Sequence, residues 1–293
     1  MVYGYRPSLG RRVIRAFAKV LIRGLGLSGK SIWSNEILQS LSPIAETTFN
    51  GQILRFRTGN GRLLWRVRTF ASEEPLIIEW ISRMKSSDVI LDIGANCGLY
   101  SIAMAKMGCR VYACELDLQN VGLIKENAFL NQVHQQLLVL PIACGGNDEA
   151  IEVYFRDLIP GDALQSMSQP QTVPTRLGIH PHRAPVLTLS LDALWARSGF
   201  ERPSKIKIDV DGNEKRVFAG SRGLCATAHE IYYEDSGTPD CREVLSELFA
   251  LGFGEVQSRS IGSGTAPGSL TSAGYNRLLR RSPSVTARDS ERV

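Results

Sequence analysis

VILDIGANCG, residues Val89 to Gly98, is the stretch whose reading decides the fold. Val89 to Leu91, closed by Asp92, has the apolar run of a buried strand. A glycine-punctuated turn follows, and Leu99 to Met107 carries apolar residues at helical spacing (Leu99, Ile102, Ala103, Ala105, Met107). Strand, glycine turn and helix is the unit that meets a nucleotide-type cofactor in a doubly wound sheet. Gly94 and Gly98 lack a Cβ, so backbone and ligand can approach closely. The helix start offers free N–H groups.

The spacing narrows the ligand. A dinucleotide fingerprint has the form G-x-G-x-x-G. Here the turn is G-x-x-x-G, with Ala95 and Asn96 after the first glycine. Asp92 stands two residues before that glycine, at the strand's C-terminal end. Its carboxylate would repel a pyrophosphate and attract an ammonium group. S-adenosylmethionine has an ammonium group and no phosphate. The next strand, Arg110 to Cys114, ends at Glu115, roughly 20 residues past the first glycine, where a ribose diol is held. Glu115 alone would suit NAD equally well; Asp92 together with G-x-x-x-G favours S-adenosylmethionine. The cofactor contacts expected here are Asp92, Gly94, Ala95, Asn96, Gly98 and Glu115.

The 293 residues, 43% hydrophobic and 22% charged, suffice for one large α/β domain with an N-terminal extension, or for two small domains. We divide the chain into a basic, amphipathic helical extension (1–45), a catalytic domain (46–281) and a disordered tail (282–293). The formal charge of +5 is concentrated at the two ends, and the middle is near neutral. That distribution argues against a nucleic-acid partner. The six cysteines form no C-x-x-C pair and have no zinc-spaced histidine, so they read as reduced thiols of a cytoplasmic protein, without a metal site. No apolar run approaches a membrane span. Residues 11–25, RRVIRAFAKVLIRGL, suit an amphipathic helix. It either lies on anionic lipid at the inner face of a membrane or packs on the domain with its basic face solvated.

Along the rest of the chain, 52–70 reads as a hairpin turning at Gly59-Asn60-Gly61. A helix starts near Pro75, with Ser72 as its cap and Leu76, Ile77, Trp80, Ile81 and Met84 as its apolar face. Hairpin and helix are expected to cover the approach to the cofactor strand. A helix to Leu130 and a strand from Leu137 to Ala143 follow, and the loop after that strand makes Ala143 a candidate adenine contact. Residues 157–185, rich in proline, glycine and serine, read as a long loop, either a lid or a solvated insertion. The second informative stretch is KIKIDVDGNE, Lys205 to Glu214. It is a strand ending in acids at the crevice side of an α/β sheet. Asp209, Asp211 and Glu214 would stand near the reacting centre, able to position a hydroxyl nucleophile, accept its proton or hold a divalent cation, and Asp209 and Asp211 are the catalytic candidates.

These residues resemble the FkbM-type S-adenosylmethionine-dependent methyltransferases. The resemblance rests on DVILDIGANCGLYSIAMAK (Asp88–Lys106), VYACELD (Val111–Asp117), ENAFLN (Glu126–Asn131), KIDVDGNEKRVFAG (Lys207–Gly220) and YNRLLRR (Tyr275–Arg281). It implies a Rossmann-like class I methyltransferase fold: a seven-stranded, mostly parallel sheet with helices on both faces and the last strand antiparallel. It also implies O-methylation of a hydroxyl on a sugar, polysaccharide or secondary metabolite. Asp92, Gly94, Asn96 and Gly98 would then meet the methionine end, Glu115 the ribose, and Asp209 the region of the methyl group. The sequence departs from the family pattern at Leu116, where the family usually has Pro, and at Asp211, where it often has Glu. The alternatives are an NAD-dependent dehydrogenase of the same architecture and a non-catalytic, membrane-docked binding protein. The acceptor is expected to be a small molecule or glycan; the sequence leaves the oligomeric state open.

Overall fold

A computed structural model of the chain describes residues 43–155, 159–161, 182–261 and 274–282, together with the helical positions 13, 16, 17 and 20. Most of the 157–185 loop, the Gly/Ser-rich 262–273 stretch, the tail and most of the basic extension lie outside these residues.

The first two strands, β1 (Ile44–Phe49) and β2 (Gln52–Arg57), form an antiparallel hairpin. Its two-residue turn is Asn50-Gly51, both at positive φ (47° and 73°). That geometry suits the right-handed twist of a hairpin. The expected hairpin over 52–70 is therefore corrected. Asn60, the residue expected to turn it, instead caps helix α1 (Gly61–Arg68), its side chain accepting from the N–H groups of Arg62 and Leu63. Asn serves equally as turn residue and helix cap. The i, i+4 pair Leu63 and Val67, both buried, marks the helical period.

Helix α2 (Pro75–Ser82) begins with proline in its first turn and buries Leu76, Ile77, Trp80 and Ile81. Its N-cap is Glu74, without a side-chain cap; Ser72, the expected cap, bonds back to the carbonyl of Thr69. The parallel core follows: β3 (Val89–Ile93), α3 (Leu99–Lys106), β4 (Arg110–Cys114), α4 (Leu118–Leu130) and β5 (Leu137–Leu140). Strands β6 (Ala143–Cys144), β7 (Glu149–Phe155) and β8 (His182–Leu189) build a separate three-stranded sheet in the order β6-β8-β7. The residues from His182, expected in the long loop, thus belong to a strand. Helix α5 (Leu191–Ser198), β9 (Lys205–Ile208), α6 (Glu214–Cys225), β10 (Glu230–Asp235), α7 (Pro239–Ala250), β11 (Phe253–Ser260) and β12 (Tyr275–Arg281) complete the chain.

The main sheet has the order β11-β12-β10-β9-β3-β4-β5. β12 is antiparallel to both neighbours, and the other pairings in this sheet are parallel. Order and polarity match the expected seven-stranded arrangement. Alternation along the strands divides the core into two layers. Ile90, Val111 and Ala113 join α2 and α3 on one face; Leu91, Ile93, Ile206 and Ile208 join α6 and α7 on the other. The ENAFLN motif ties the hairpin to this body. Asn127 accepts from the N–H of Arg57, and Asn131 accepts from and donates to the backbone of Arg55.

Candidate active site

A cavity of about 270 Å³ opens at the C-terminal ends of β3, β4, β9 and β10. This is the ligand crevice of an open α/β sheet. The glycine turn after β3 forms one wall. Gly94 and Ala95 donate their N–H groups to the Cys114 carbonyl (3.1 and 3.0 Å), which fixes the turn against β4. Gly94 has φ 84°, and a Cβ there would lie 1.8 Å from the carbonyl oxygen of Asp209. Only glycine allows this closeness between the turn and the end of β9. Gly98 has a different task. It caps α3 at φ 81°, a Cβ there would lie 3.0 Å from the Ile124 side chain, and it does not line the cavity.

Glu115 is buried and lines the cavity. Its Oε2 accepts from the N–H of Asn96 (2.7 Å) and its Oε1 from the N–H of Asp117 (2.8 Å). Burial outweighs these bonds and pushes its carboxyl up to about 7. Each oxygen keeps a lone pair, so the group can still accept from hydroxyl donors. Gly94, Ala95, Asn96 and Ala143 line the same cavity. β6 of the small sheet brings in Ala143, as the loop position suggested.

Asp92 is placed elsewhere. It is 1% exposed and does not line the cavity. Its carboxylate faces Lys207 Nζ at 3.3 Å and accepts from the Ser101 hydroxyl. Asp92 and Lys207 are register partners on adjacent parallel strands, so their side chains stand side by side on one face. Lys207 also meets Asp209 at 3.0 Å. Burial alone would push Lys207 down, but Asp209 and Asp92 together hold it well above its usual range. The pairing is reciprocal: burial works to raise Asp209, and Lys207 with a hydrogen bond from Glu234 outweighs it and lowers the carboxyl. Direct contact between Asp92 and a bound ammonium, expected from the sequence, is not what this arrangement offers. Asp92 instead fixes Lys207 under the floor.

Asp209 is on that floor, and Asp211 is at the exposed mouth with φ 50°, an uncommon conformation for a residue other than glycine. Three further residues were missed in the sequence. Glu74, at the start of α2, accepts from the Tyr232 hydroxyl at 3.3 Å and hydrogen-bonds Tyr100. Glu234, near the end of β10, is pushed well up, first by the charge of Asp209 and then by burial. Arg66 of α1 reaches the cavity while its Nε donates to the Gly161 carbonyl at 3.0 Å. Glu234 had a signal, since EIYYE is an apolar strand ending in an acid. Glu74 and Arg66 had none, because only the fold carries α1 and α2 over the crevice. The expectation that this region covers the cofactor strand holds for these helical elements, not for a hairpin.

The lining is acidic: Glu73, Glu74, Glu115, Asp209, Asp211 and Glu234 against Arg66 and Lys207, and Lys207 is already paired. This donor set suits a ligand of net positive charge and opposes a pyrophosphate. S-adenosylmethionine, with its sulfonium and ammonium groups, fits it. Among the described residues, no group of three or more His, Cys, Asp or Glu side chains is placed to hold a metal ion. Among the same residues, no helix is long and apolar enough to cross a membrane.

Comparison with known proteins gives one family match and several distant relatives. The family model of the methyltransferase FkbM domain matches residues 92–254. The hexuronic acid methyltransferase AglP of Haloferax volcanii is 21% identical over 206 residues, 70% of this chain and 79% of that protein. The ribosomal protein L11 methyltransferase of Campylobacter concisus is 49% identical over 49 residues, 17% of this chain and only 18% of that protein. The crystal structure of an FkbM methyltransferase from Methylobacillus flagellatus has a TM-score of 0.44 at 14% identity, covering 67% of this chain and 44% of that one.

Proposed function

The chain belongs to the FkbM methyltransferase family, and from this premise we propose that it is an S-adenosylmethionine-dependent methyltransferase that acts on a hydroxyl of a sugar, free or within a glycan. The acidic crevice carries the cofactor half of this reading. Glu115 would hold the ribose, the turn from Gly94 to Asn96 would cradle the methionine end, and Ala143 would border the adenine. The bound cofactor supplies the methyl group as a sulfonium electrophile. The protein contributes orientation, exclusion of water under α1 and α2, and a place for the acceptor's proton. Asp209, fixed by Lys207, would point the acceptor hydroxyl, and Asp211 at the mouth would contact the acceptor beyond it. The match to a hexuronic acid methyltransferase supports a sugar acceptor, and Arg66 would complement an acidic one.

Calorimetric titration with S-adenosylhomocysteine and, separately, NAD tests the cofactor. Micromolar binding of the first alone is expected; binding of NAD alone would overturn the assignment. Methyl transfer to a panel of neutral and acidic glycosides then tests the acceptor, and transfer to none of them would remove the sugar reading.

Peripheral membrane contact also belongs to this proposal. Val13, Phe17 and Val20 are 60%, 67% and 68% exposed on one helical face, in a segment that carries Arg11, Arg12, Arg15, Lys19 and Arg23. Apolar anchors with flanking cations suit an anionic lipid surface. That would place the protein at the cytoplasmic face of a membrane, where reducing conditions suit its free, buried cysteines. Co-sedimentation with anionic vesicles is expected, and unchanged binding after deletion of residues 1–30 would sink this part.

A further inference from the structure

We infer that Glu74 is the general base of the reaction, taking the proton of the acceptor hydroxyl, while Asp209 serves as a fixed charge. The inference rests on the methyltransferase reading and reassigns the proton within the same site. Geometry separates the two acids. Asp209 already accepts from Lys207 and Glu234, and an acid held in that way binds a new proton weakly. Glu74 lines the cavity and is held by two hydroxyls, from Tyr100 on α3 and Tyr232 on β10. No lysine or arginine is within ion-pairing distance of it among the described residues.

The groups facing Glu74 come from four elements: Arg66 on α1, Tyr100 on α3, Lys207 and Asp209 on and just after β9, and Tyr232 and Glu234 on β10. Burial is the largest influence and Asp209 the next. Together they raise the Glu74 carboxyl to about 7, against the pull of Lys207, Tyr100 and Arg66. A base poised near neutrality combines a useful ionised fraction with a useful proton affinity. The proton balance closes on this side chain. The acceptor oxygen bonds the methyl carbon as its O–H bond breaks, the proton passes to a Glu74 carboxylate oxygen, and the carbon–sulfur pair stays on sulfur.

A second consequence can be read without turnover. S-adenosylmethionine carries one more positive charge than S-adenosylhomocysteine. Its arrival in the cavity favours the ionised form of Glu74, so binding expels a proton near pH 7. After transfer the positive charge is gone and the proton is on Glu74.

The test is calorimetric titration of the full chain at pH 7, in two buffers of different ionisation enthalpy, with each cofactor form. Wild type should release a fraction of a proton on binding S-adenosylmethionine and markedly less with S-adenosylhomocysteine. Glu74→Gln should bind both within a few-fold of wild type, showing that it folds, with the difference in proton release clearly reduced. Its kcat should fall ~10²-fold or more with little change in acceptor KM, and Glu74→Asp should recover part of it. Equal proton release by wild type and Glu74→Gln would overturn the inference. So would loss of the release in Asp209→Asn but not in Glu74→Gln. Failure of wild type to bind either form would instead overturn the methyltransferase reading, and this inference with it.

Discussion

Lys207 shows how much one residue can organise. It is 1% exposed on the strand Lys205-Ile206-Lys207-Ile208, with an acid on either side of its ammonium. Such a cluster is worth little against an apolar replacement of the whole, but removing one partner leaves buried charge uncompensated. Lys207→Met should therefore destabilise by about 3–5 kcal/mol in urea unfolding, and it should raise the Asp209 carboxyl. A loss below 1 kcal/mol would mean that Asp92 and Asp209 are hydrated or already protonated. Gly94 makes a sharper case. With its Cβ position 1.8 Å from a backbone oxygen, Gly94→Ala cannot be relieved by a side-chain rotation. It should separate the turn from β9 and abolish cofactor binding, while Gly98→Ala, which meets only the Ile124 side chain, should weaken binding less. Equal binding by both variants in calorimetry would show that the turn gives way more readily than this packing implies.

Asn127 of α4 and Asn131, which caps its C-terminus, hold the edge of β2 through hydrogen bonds to the backbone of Arg55 and Arg57. Alanine at either site leaves part-buried backbone groups of β2 without their side-chain partners, at a cost of about 1 kcal/mol. The loss should appear as faster amide exchange in β1 and β2 with the main sheet unchanged; uniform exchange throughout would sink the idea of a separately tethered hairpin. The ENAFLN motif is thus an attachment device, a role that periodicity alone does not disclose. The parallel strands were legible because β3 and β4 are short, mainly apolar runs and β9 alternates lysine with isoleucine, each followed at once by an acid or glycine. The hairpin was not, because Asn-Gly occurs at both 50–51 and 60–61, and the same Asn chemistry turns a hairpin or caps a helix. Glu115 and Asp209 were legible because strand ends in this topology converge on the crevice. Glu74 and Arg66 stayed hidden because their approach to the crevice is a property of packing. Asp92 was placed at the right strand end, but a strand's alternation decides whether an acid faces ligand or core, and here Lys207 claimed it.

For the molecule as a whole, the buried acids set opposing pH dependences. Glu230 is lowered to about 2, because Lys205, Trp80 and Arg280 outweigh its burial. Its contribution is present above the unfolded value near 4.5 and lost as pH falls toward 2. Glu115, raised to about 7 by burial, acts in the other direction. Its contribution is full below 4.5 and lost as pH rises through 7, about 3 kcal/mol in all. Stability should therefore peak near pH 5, where both contributions are largely kept. The urea midpoint should fall between pH 5 and 8 in wild type, and Glu115→Gln should lessen that fall, with Glu74, also raised to about 7, keeping the rest. A midpoint that rises steadily to pH 8 in both would contradict the raised acid. The same ionisation prepares the crevice for its ligand. A cofactor of net positive charge binds the ionised cavity best, and stabilisation by binding grows as [L]/Kd grows. At one fixed concentration, S-adenosylmethionine should raise the midpoint more at pH 8 than at pH 5, restoring in the complex what the free protein loses. Equal stabilisation at the two values would mean that the charge of the crevice contributes nothing to holding the cofactor.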